Sequence, residues 1–186
     1  MDIISVTKEN IEKEHICCAI SNNKNCQVSS KKSWLNKRFE DGLVFKKCNV
    51  RGKCFIEYIP YFFKYKGFKL ADTALPYFEL LYLPFNSDSY KPSFKHNIKS
   101  PYIEDKGFVL FYTNQCPFTA KYVPIIEEFA NNKGIQFKTV LLDTREQAQN
   151  APSPFTSYSL FYNGKFINNE ILSIKKFEKI IEQQCF

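Results

Sequence analysis

Among the 186 residues, the side chain best placed to do chemistry is Cys116, in the run Asn114-Gln115-Cys116-Pro117-Phe118-Thr119. The apolar stretch Phe108-Val109-Leu110-Phe111-Tyr112 ends just before it, and a helix-forming stretch begins at Pro117. Proline suits the first helical position, where the N–H it lacks would have had no partner. A thiol at such a junction meets backbone amides and the positive end of a helix dipole, which favour thiolate over thiol. A dithiol shuttle needs a second sulfur three residues on, and that position is Thr119. The chemistry left to Cys116 is monothiol: exchange with glutathione or a protein thiol, or sulfenic acid formation resolved by a thiol from elsewhere. Thr119 could then donate a hydrogen bond to the thiolate. The alternative is that Cys116 holds this position without activity. Cys185, near the C-terminus, reads as an incidental thiol rather than a resolving one.

The elements around Cys116 follow from the pattern on either side. Phe108–Tyr112 is a continuous apolar run, as a buried strand requires. From Pro117 to about Asn132, Val123, Ile126 and Phe129 or Ala130 recur at helical spacing, and Gly134 suits a left-handed C-terminal cap. Ile135 to Leu142 is the next strand, so strand–helix–strand demands a parallel, right-handed crossover. A short helical piece over Thr144–Gln149 leads to Pro152 and Pro154. Thr156–Tyr162, Asn163-Gly164 and Lys165–Ile167 read as a hairpin, since Asn-Gly is the strongest two-residue hairpin signal. Ser173 caps a last helix with Phe177, Ile180 and Ile181 on its inner face.

The order β-α-β-(α)-β-β-α, together with the Cys-Pro-aromatic-X turn at 116–119, resembles glutaredoxins and other thioredoxin-like domains. That resemblance implies a cis-proline facing the cysteine, just ahead of the third strand. Pro154 is the candidate, but it stands ten residues before the hairpin glycine Gly164. The family's spacing is met by Thr156, eight residues before it. Either a bulge absorbs the difference or Thr156 faces the sulfur.

The first half reads as α+β. Ile3–Ser5 is a short strand; Thr7 caps a helix to roughly Ile20; Ser29 or Ser30 caps a second helix carrying Trp34, Leu35 and Phe39. Gly42–Lys47 and Gly52–Ile59 read as strands of a meander, and Phe68–Asp72 and Tyr77–Leu83 as two more. The stretches Lys64–Asp72 and Tyr77–Leu83 resemble the closing strands of GNAT-family acetyltransferases, and residues 1–59 resemble that family's opening. With Thr113–Thr119 and Pro152–Thr156, the whole chain resembles the YoaP-like group, in which an acetyltransferase domain carries a small C-terminal domain. The resemblance implies N-acetyl transfer with acetyl-CoA as the cosubstrate.

Yet close backbone approach to a coenzyme A pyrophosphate needs spaced glycines at a helix N-terminus. The six glycines are 42, 52, 67, 107, 134 and 164, and no two are separated by a single residue. Tyr61-Phe62-Phe63 follows Pro60 directly, only a few residues before the closing strands. The fold class expected is therefore a truncated GNAT-like α+β part over residues 1–90, a linker at 91–100 and an α/β thioredoxin-like domain over 101–186. Where the family often carries an acidic Tyr, this chain has Phe63; Tyr61 and Tyr65 are neighbouring substitutes, and Glu57 is a candidate base by position.

The totals narrow the remaining classes. Hydrophobic residues make up 44% of the chain, enough for a packed core rather than disorder. Residues 1–100 hold 17 Lys+Arg against 10 Asp+Glu, while 101–186 hold 9 against 9. Lys31-Lys32, Lys37-Arg38 and Lys46-Lys47 are separate pairs, which favours solvated faces over a nucleic-acid surface. The seven cysteines have no paired spacing, and with two histidines they give no metal site. The start, Met1-Asp2-Ile3-Ile4-Ser5, lacks a basic and apolar leader, and no apolar run nears the ~20 residues of a membrane helix. A cytoplasmic protein with no membrane partner is expected. The truncated form is expected not to transfer acetyl groups, which leaves monothiol redox or thiol transfer at Cys116, with a small-molecule or protein thiol as partner; the alternatives are N-acetyl transfer from acetyl-CoA and a non-catalytic interaction module. An exposed apolar face on the first half would point to a dimer or to a damaged domain.

Overall fold

The computed structural model describes residues 2–11, 26–42, 45–49 and 63–185. They form a mixed α/β protein with three sheets, built from β1 (Asp2–Val6), α1 (Cys26–Glu40), β2 (Phe45–Asn49), β3 (Lys69–Ala74), β4 (Phe78–Tyr82), β5 (Phe108–Tyr112), α2 (Pro117–Asn132), β6 (Phe137–Leu141), α3 (Arg145–Gln149), β7 (Tyr158–Tyr162), β8 (Lys165–Asn168) and α4 (Ile174–Cys185).

The largest sheet has the order β6-β5-β7-β8. β5 runs parallel to β6, as the crossover through α2 requires, and antiparallel to β7, which in turn pairs antiparallel with β8. Asn163 and Gly164 turn between β7 and β8 with φ of 47° and 88°, the left-handed conformation that a two-residue hairpin needs. On one face of the sheet, Phe108, Leu110, Tyr158 and Leu160 pack under Val123, Ile126 and Ala130 of α2 and Phe177 and Ile180 of α4. Val109 and Phe161 are buried on the opposite face, where Phe161 meets Phe111 and Phe166 edge-on. With both faces covered, the near-continuous apolar run of β5 has its physical reason. α2 ends in a Schellman motif: Ile135 N–H donates to Ala130 O and Gly134 N–H to Asn131 O, with Gly134 at φ 65°. Thr144 caps α3 in a reciprocal capping box with Gln147.

β3 and β4 form a separate antiparallel hairpin with an irregularity between Leu70 and Asp72. Its turn lays Tyr77 and Phe78 against Phe166 of β8, ring centroids 6.2 and 5.5 Å apart, and the Tyr77 and Asn169 side chains hydrogen-bond at 2.7 Å. The hairpin therefore covers part of the second sheet face. The 83–100 connection is tied down as well. Asp72 accepts hydrogen bonds from the Phe94 N–H and the Lys99 ammonium, and Leu75 N–H donates to Lys99 O.

β1 pairs antiparallel with β2. Val6, Ile11 and Leu35 form a small buried cluster, with Trp34 and Phe39 against it. α1 begins at Cys26, ahead of Ser29 and Ser30, so neither serine is its cap; the pattern around Trp34, Leu35 and Phe39 marked the helix's packed side and not its start. The strand expected over Gly42–Lys47 lies at Phe45–Asn49 and pairs with β1. Residues 7–11 form a turn closed by Ile11 N–H to Thr7 O; the rest of the helix expected from Thr7 to Ile20, and the strand expected over Gly52–Ile59, lie outside the described residues. α1 packs on α2. Arg38, 6% exposed, donates from its guanidinium to Asp143 O at 2.7 Å, while the Lys37 ammonium bonds the Asp143 carboxylate. Arg38 Nε lies 3.0 Å from Asp41 Oδ2, an ion pair without hydrogen-bond alignment. Among the described residues no helix is long and apolar enough to cross a membrane.

Candidate functional site

Cys116 is the N-cap of the sixteen-residue α2, with extended φ and ψ of −96° and 123°, and Pro117 opens the helix. Its sulfur is a thiol rather than half of a disulfide, and the residue is partly exposed. The turn that holds it is fastened from within. Gln115 N–H donates to Thr113 Oγ1 at 3.3 Å, and Thr119 N–H donates to Cys116 O at 3.1 Å. Thr119 is fully buried, and its hydroxyl lies 2.8 Å from Thr113 O and 2.6 Å from Cys116 O. A hydroxyl has one proton, which serves one of these carbonyls at a time. The hydrogen bond expected from Thr119 to a thiolate is therefore replaced, in this structure, by bonds to the backbone on either side of the cysteine.

The β5–β7 register sets the other wall. Tyr112 pairs with Tyr158, and one step further Thr113 N–H donates to Ser157 O at 3.3 Å. Ser157 Oγ also donates to Gln115 Oε1 at 3.0 Å. The 153–157 loop thus runs beside the cysteine turn and brings Pro154 and Thr156, both half-buried, to that end of the sheet. Ser153, 2% exposed, accepts from Phe155 N–H, and Ser159, 1% exposed, donates to Phe155 O. With both backbone groups of Phe155 held inward, its side chain is left 41% exposed. Among the described residues the cis peptide bond is Leu75–Pro76, so Ser153–Pro154 is trans. This corrects the expectation of a cis-proline at Pro154: the two serine bonds hold the loop in its turn around a trans bond.

Thr113, Gln115, Ser153, Ser157 and Ser159 build this site; the first three lie in the stretches that carry the family resemblance, and none of the five is given a role by the sequence. The signal available was the density of Ser and Thr at two chain segments that must meet if β5 and β7 pair. Tyr158, the residue after Ser157 and the first of β7, is 1% exposed, and burial pushes its phenol up to about 12.

The residues suggested for acetyl transfer are placed in part. Phe63 packs edge-on against Phe68 with centroids 5.0 Å apart, and Tyr65 is 83% exposed with the Lys66 ammonium 5.4 Å from its ring. Glu57 and Tyr61 lie outside the described residues. Among the described residues no group of three or more His, Cys, Asp or Glu side chains is arranged to hold a metal ion.

Residues 136–179, from the start of β6 into α4, match the family described as YoaP-like. The protein named "Uncharacterized N-acetyltransferase YoaP" from Bacillus subtilis (strain 168) is 32% identical over 247 residues, covering 97% of this chain and 98% of that protein. The aligned positions outnumber the 186 residues present here, so some of them fall opposite gaps in this chain. No solved structure matches it. With the likeness running from one end of both chains to the other, this chain belongs to the YoaP-like family.

Proposed function

We propose that the chain is an N-acetyltransferase of the YoaP-like family and takes acetyl-CoA as its cosubstrate. The observation that carries this is the 32% identity extending through 98% of a protein named as an N-acetyltransferase. The β3–β4 hairpin, the stretch similar to the closing strands of that enzyme class, is paired along its length and docked on β8, which supports the reading. In the reaction an amine nitrogen attacks the thioester carbonyl, the C–N bond forms, and the C–S bond breaks. The amine's proton goes to a base, for which Glu57 stands by position, and coenzyme A leaves as a thiolate to be protonated, with Tyr61 or Tyr65 as the acid. Calorimetric titration with acetyl-CoA, followed by mass spectrometry of an amine panel, tests it. Saturable binding with an acetylated amine is the expected result; a silent titration at ~1 mM, where binding free energy is about 4 kcal/mol, would sink the reading.

A second reading is favoured by two particular observations. No two glycines are one residue apart, and the alignment with the relative is longer than this chain. Both support loss of the central coenzyme-binding segment, leaving a truncated acetyltransferase half beside an active thiol. The β6-β5-β7-β8 order, with α2 and α4 on one face, supports a thioredoxin-like C-terminal unit. On this reading the Cys116 thiolate attacks one sulfur of a disulfide, glutathione's or a protein's. A new S–S bond forms to Cys116 while the other sulfur leaves as thiolate. Thr119 holds the turn, and Pro154 and Thr156 border the approach. Mass spectrometry after timed alkylation at several pH values follows Cys116 directly. Alkylation at neutral pH faster than in the unfolded chain is expected, and a rate at or below the unfolded one overturns the thiol reading.

A further inference from the structure

The β3–β4 hairpin is a sheet of two strands, and among the described residues β4 pairs with β3 alone. Two strands make a marginal sheet, and the outer row of N–H and C=O groups on such an edge is a template for a further strand. The two edges differ. β3 carries the extra residue Ala71 between the pairs Leu70↔Leu81 and Asp72↔Leu80, so its line is broken. The 94–99 stretch is also tied to it, through Asp72 and the Leu75 N–H. β4, Phe78-Glu79-Leu80-Leu81-Tyr82, is unbroken and holds neither Pro nor Lys, the residues that blunt an edge. Its alternation puts Glu79 and Leu81 on the face that Leu70 shares, where Leu70 is 44% exposed and Leu83, next along β4's line, 36%. The other face carries Phe78, which packs on Phe166.

We propose that β4 pairs antiparallel with β4 of a second copy of the chain, joining two hairpins into a four-stranded sheet about a two-fold axis at Leu80. This register is self-complementary: Leu80 meets its own counterpart, Phe78 lies opposite the partner's Tyr82, and Glu79 opposite the partner's Leu81. Aromatic pairs directly opposite one another stabilise a ladder, whereas like charges there destabilise it. A register centred on Glu79 would set that carboxylate against itself, and one centred on Leu81 would bring Pro84, which has no N–H to give, opposite Phe78. Charge selects the same occupant. Residues 63–83 hold Lys64, Lys66 and Lys69 against Asp72 and Glu79, with Lys64 and Glu79 3.0 Å apart. The hairpin is thus near balance in a chain of net charge +7, which suits a copy of itself better than a polyanion. The pairing requires neither acetyl transfer nor reactivity at Cys116.

Sedimentation equilibrium on the full chain, with hydrogen exchange read over residues 78–82, tests the proposal. The mass should rise from one chain to two as the concentration is raised to ~1 mM, and protection of 78–82 should rise with it. Two substitutions at one half-buried position read the register. Leu81→Lys sets an ammonium opposite the partner's Glu79 at both ends of the pair, and Leu81→Glu sets a carboxylate there. The first should dimerise about tenfold more tightly than the second, with the gap narrowing in high salt. Net charge alone predicts the reverse, because Leu81→Glu lowers the repulsion between two chains of +7. The two readouts on the parent chain stand whether or not the variants fold. A chain that stays monomeric throughout, a dimer in which protection of 78–82 is the same at every concentration, or Leu81→Glu pairing as tightly as Leu81→Lys overturns the proposal.

Discussion

The β5–α4 region and the described parts of the first half bury their apolar residues in different ways. The four-stranded sheet has two helices on one face and an interior whose members touch one another: Phe177 alone meets Phe108, Phe129 and Phe137 with ring centroids 5.2, 6.2 and 5.4 Å away. The β1–β2–α1 assembly gathers Val6, Ile11 and Leu35, and leans its helix on α2. The β3–β4 hairpin leans its turn on Phe166. Among the described residues the larger core belongs to β5–α4, and the first half adds a three-residue cluster and a hairpin that lean on it. A covering is stabilised by the surface it sits on, so its loss should be local and the loss of the core global.

The largest effect should come from Phe177→Ala. It empties a fully buried aromatic site in the centre of that core, for which about 3–5 kcal/mol of destabilisation is expected. Chemical denaturation followed by hydrogen exchange checks it. Protection should fall together over β5–α4 and over the hairpin and α1 that rest on them. Protection of α1 surviving while β5 loses its own would break the comparison, because it would make the first half a core in its own right.

Arg38→Met comes next. The change keeps much of the side chain's stem but removes the guanidinium that donates to Asp143 O from a site 6% exposed, and hydrogen bonds from charged groups contribute about 1.5–3 kcal/mol. The expected result is faster proteolysis near α1 with β5–β8 protection unchanged. Lys37, whose partner is the same Asp143, is half exposed, so Lys37→Met should change little.

Thr119→Val is smaller still. Cys116 O keeps the Thr119 N–H when the hydroxyl is removed, so Thr113 O is the acceptor that loses a donor. A loss of about 1 kcal/mol is expected, readable as a lower denaturation midpoint. If Thr119 acted on the sulfur itself, the variant would change the pH dependence of Cys116 alkylation; if it serves the backbone, that profile stays put.

The same contrast explains what could be read in advance. Strand β5, helix α2, the Asn163-Gly164 turn and α4 follow from local signals: a run apolar on both faces, helical spacing, a hairpin pair, a polar residue before a periodic stretch. These signals agreed with the packing because the region's neighbours are mostly its own. Ser29 and Ser30 are good caps in isolation, yet α1 runs through both of them from Cys26. The Cys116 turn was legible as a strand–helix junction, but the serines that pin the 153–157 loop act across the sheet, forty residues away. No local rule links Ser157 to Gln115, Arg38 to Asp143, or Tyr77 to Asn169. The stretch after β4 was legible as irregular from its polar composition, whereas its attachment to Asp72 depends on a carboxylate more than twenty residues earlier.

That attachment gives the finest test of the comparison. Asp72 accepts from Lys99 Nζ at 2.8 Å, from Thr73 N–H at 2.9 Å and from Phe94 N–H at 3.0 Å. All three favour the carboxylate, and the Lys99 hydrogen bond leads in holding its pKa below the ordinary 3.8. Because the folded value is the lower one, the stabilisation is fully present above pH 3.8 and disappears as the pH falls through the depressed folded value. In an NMR titration the Phe94 and Thr73 amides should report one midpoint below 3.8, with residues 92–99 loosening there and β5–β8 unmoved. Asp72→Asn should already show the loosened connection at neutral pH, since it offers Lys99 no charge. A midpoint at or above 3.8, or a β5 amide that titrates with Phe94, would mean that the connection is either not held by Asp72 or not separable from the core.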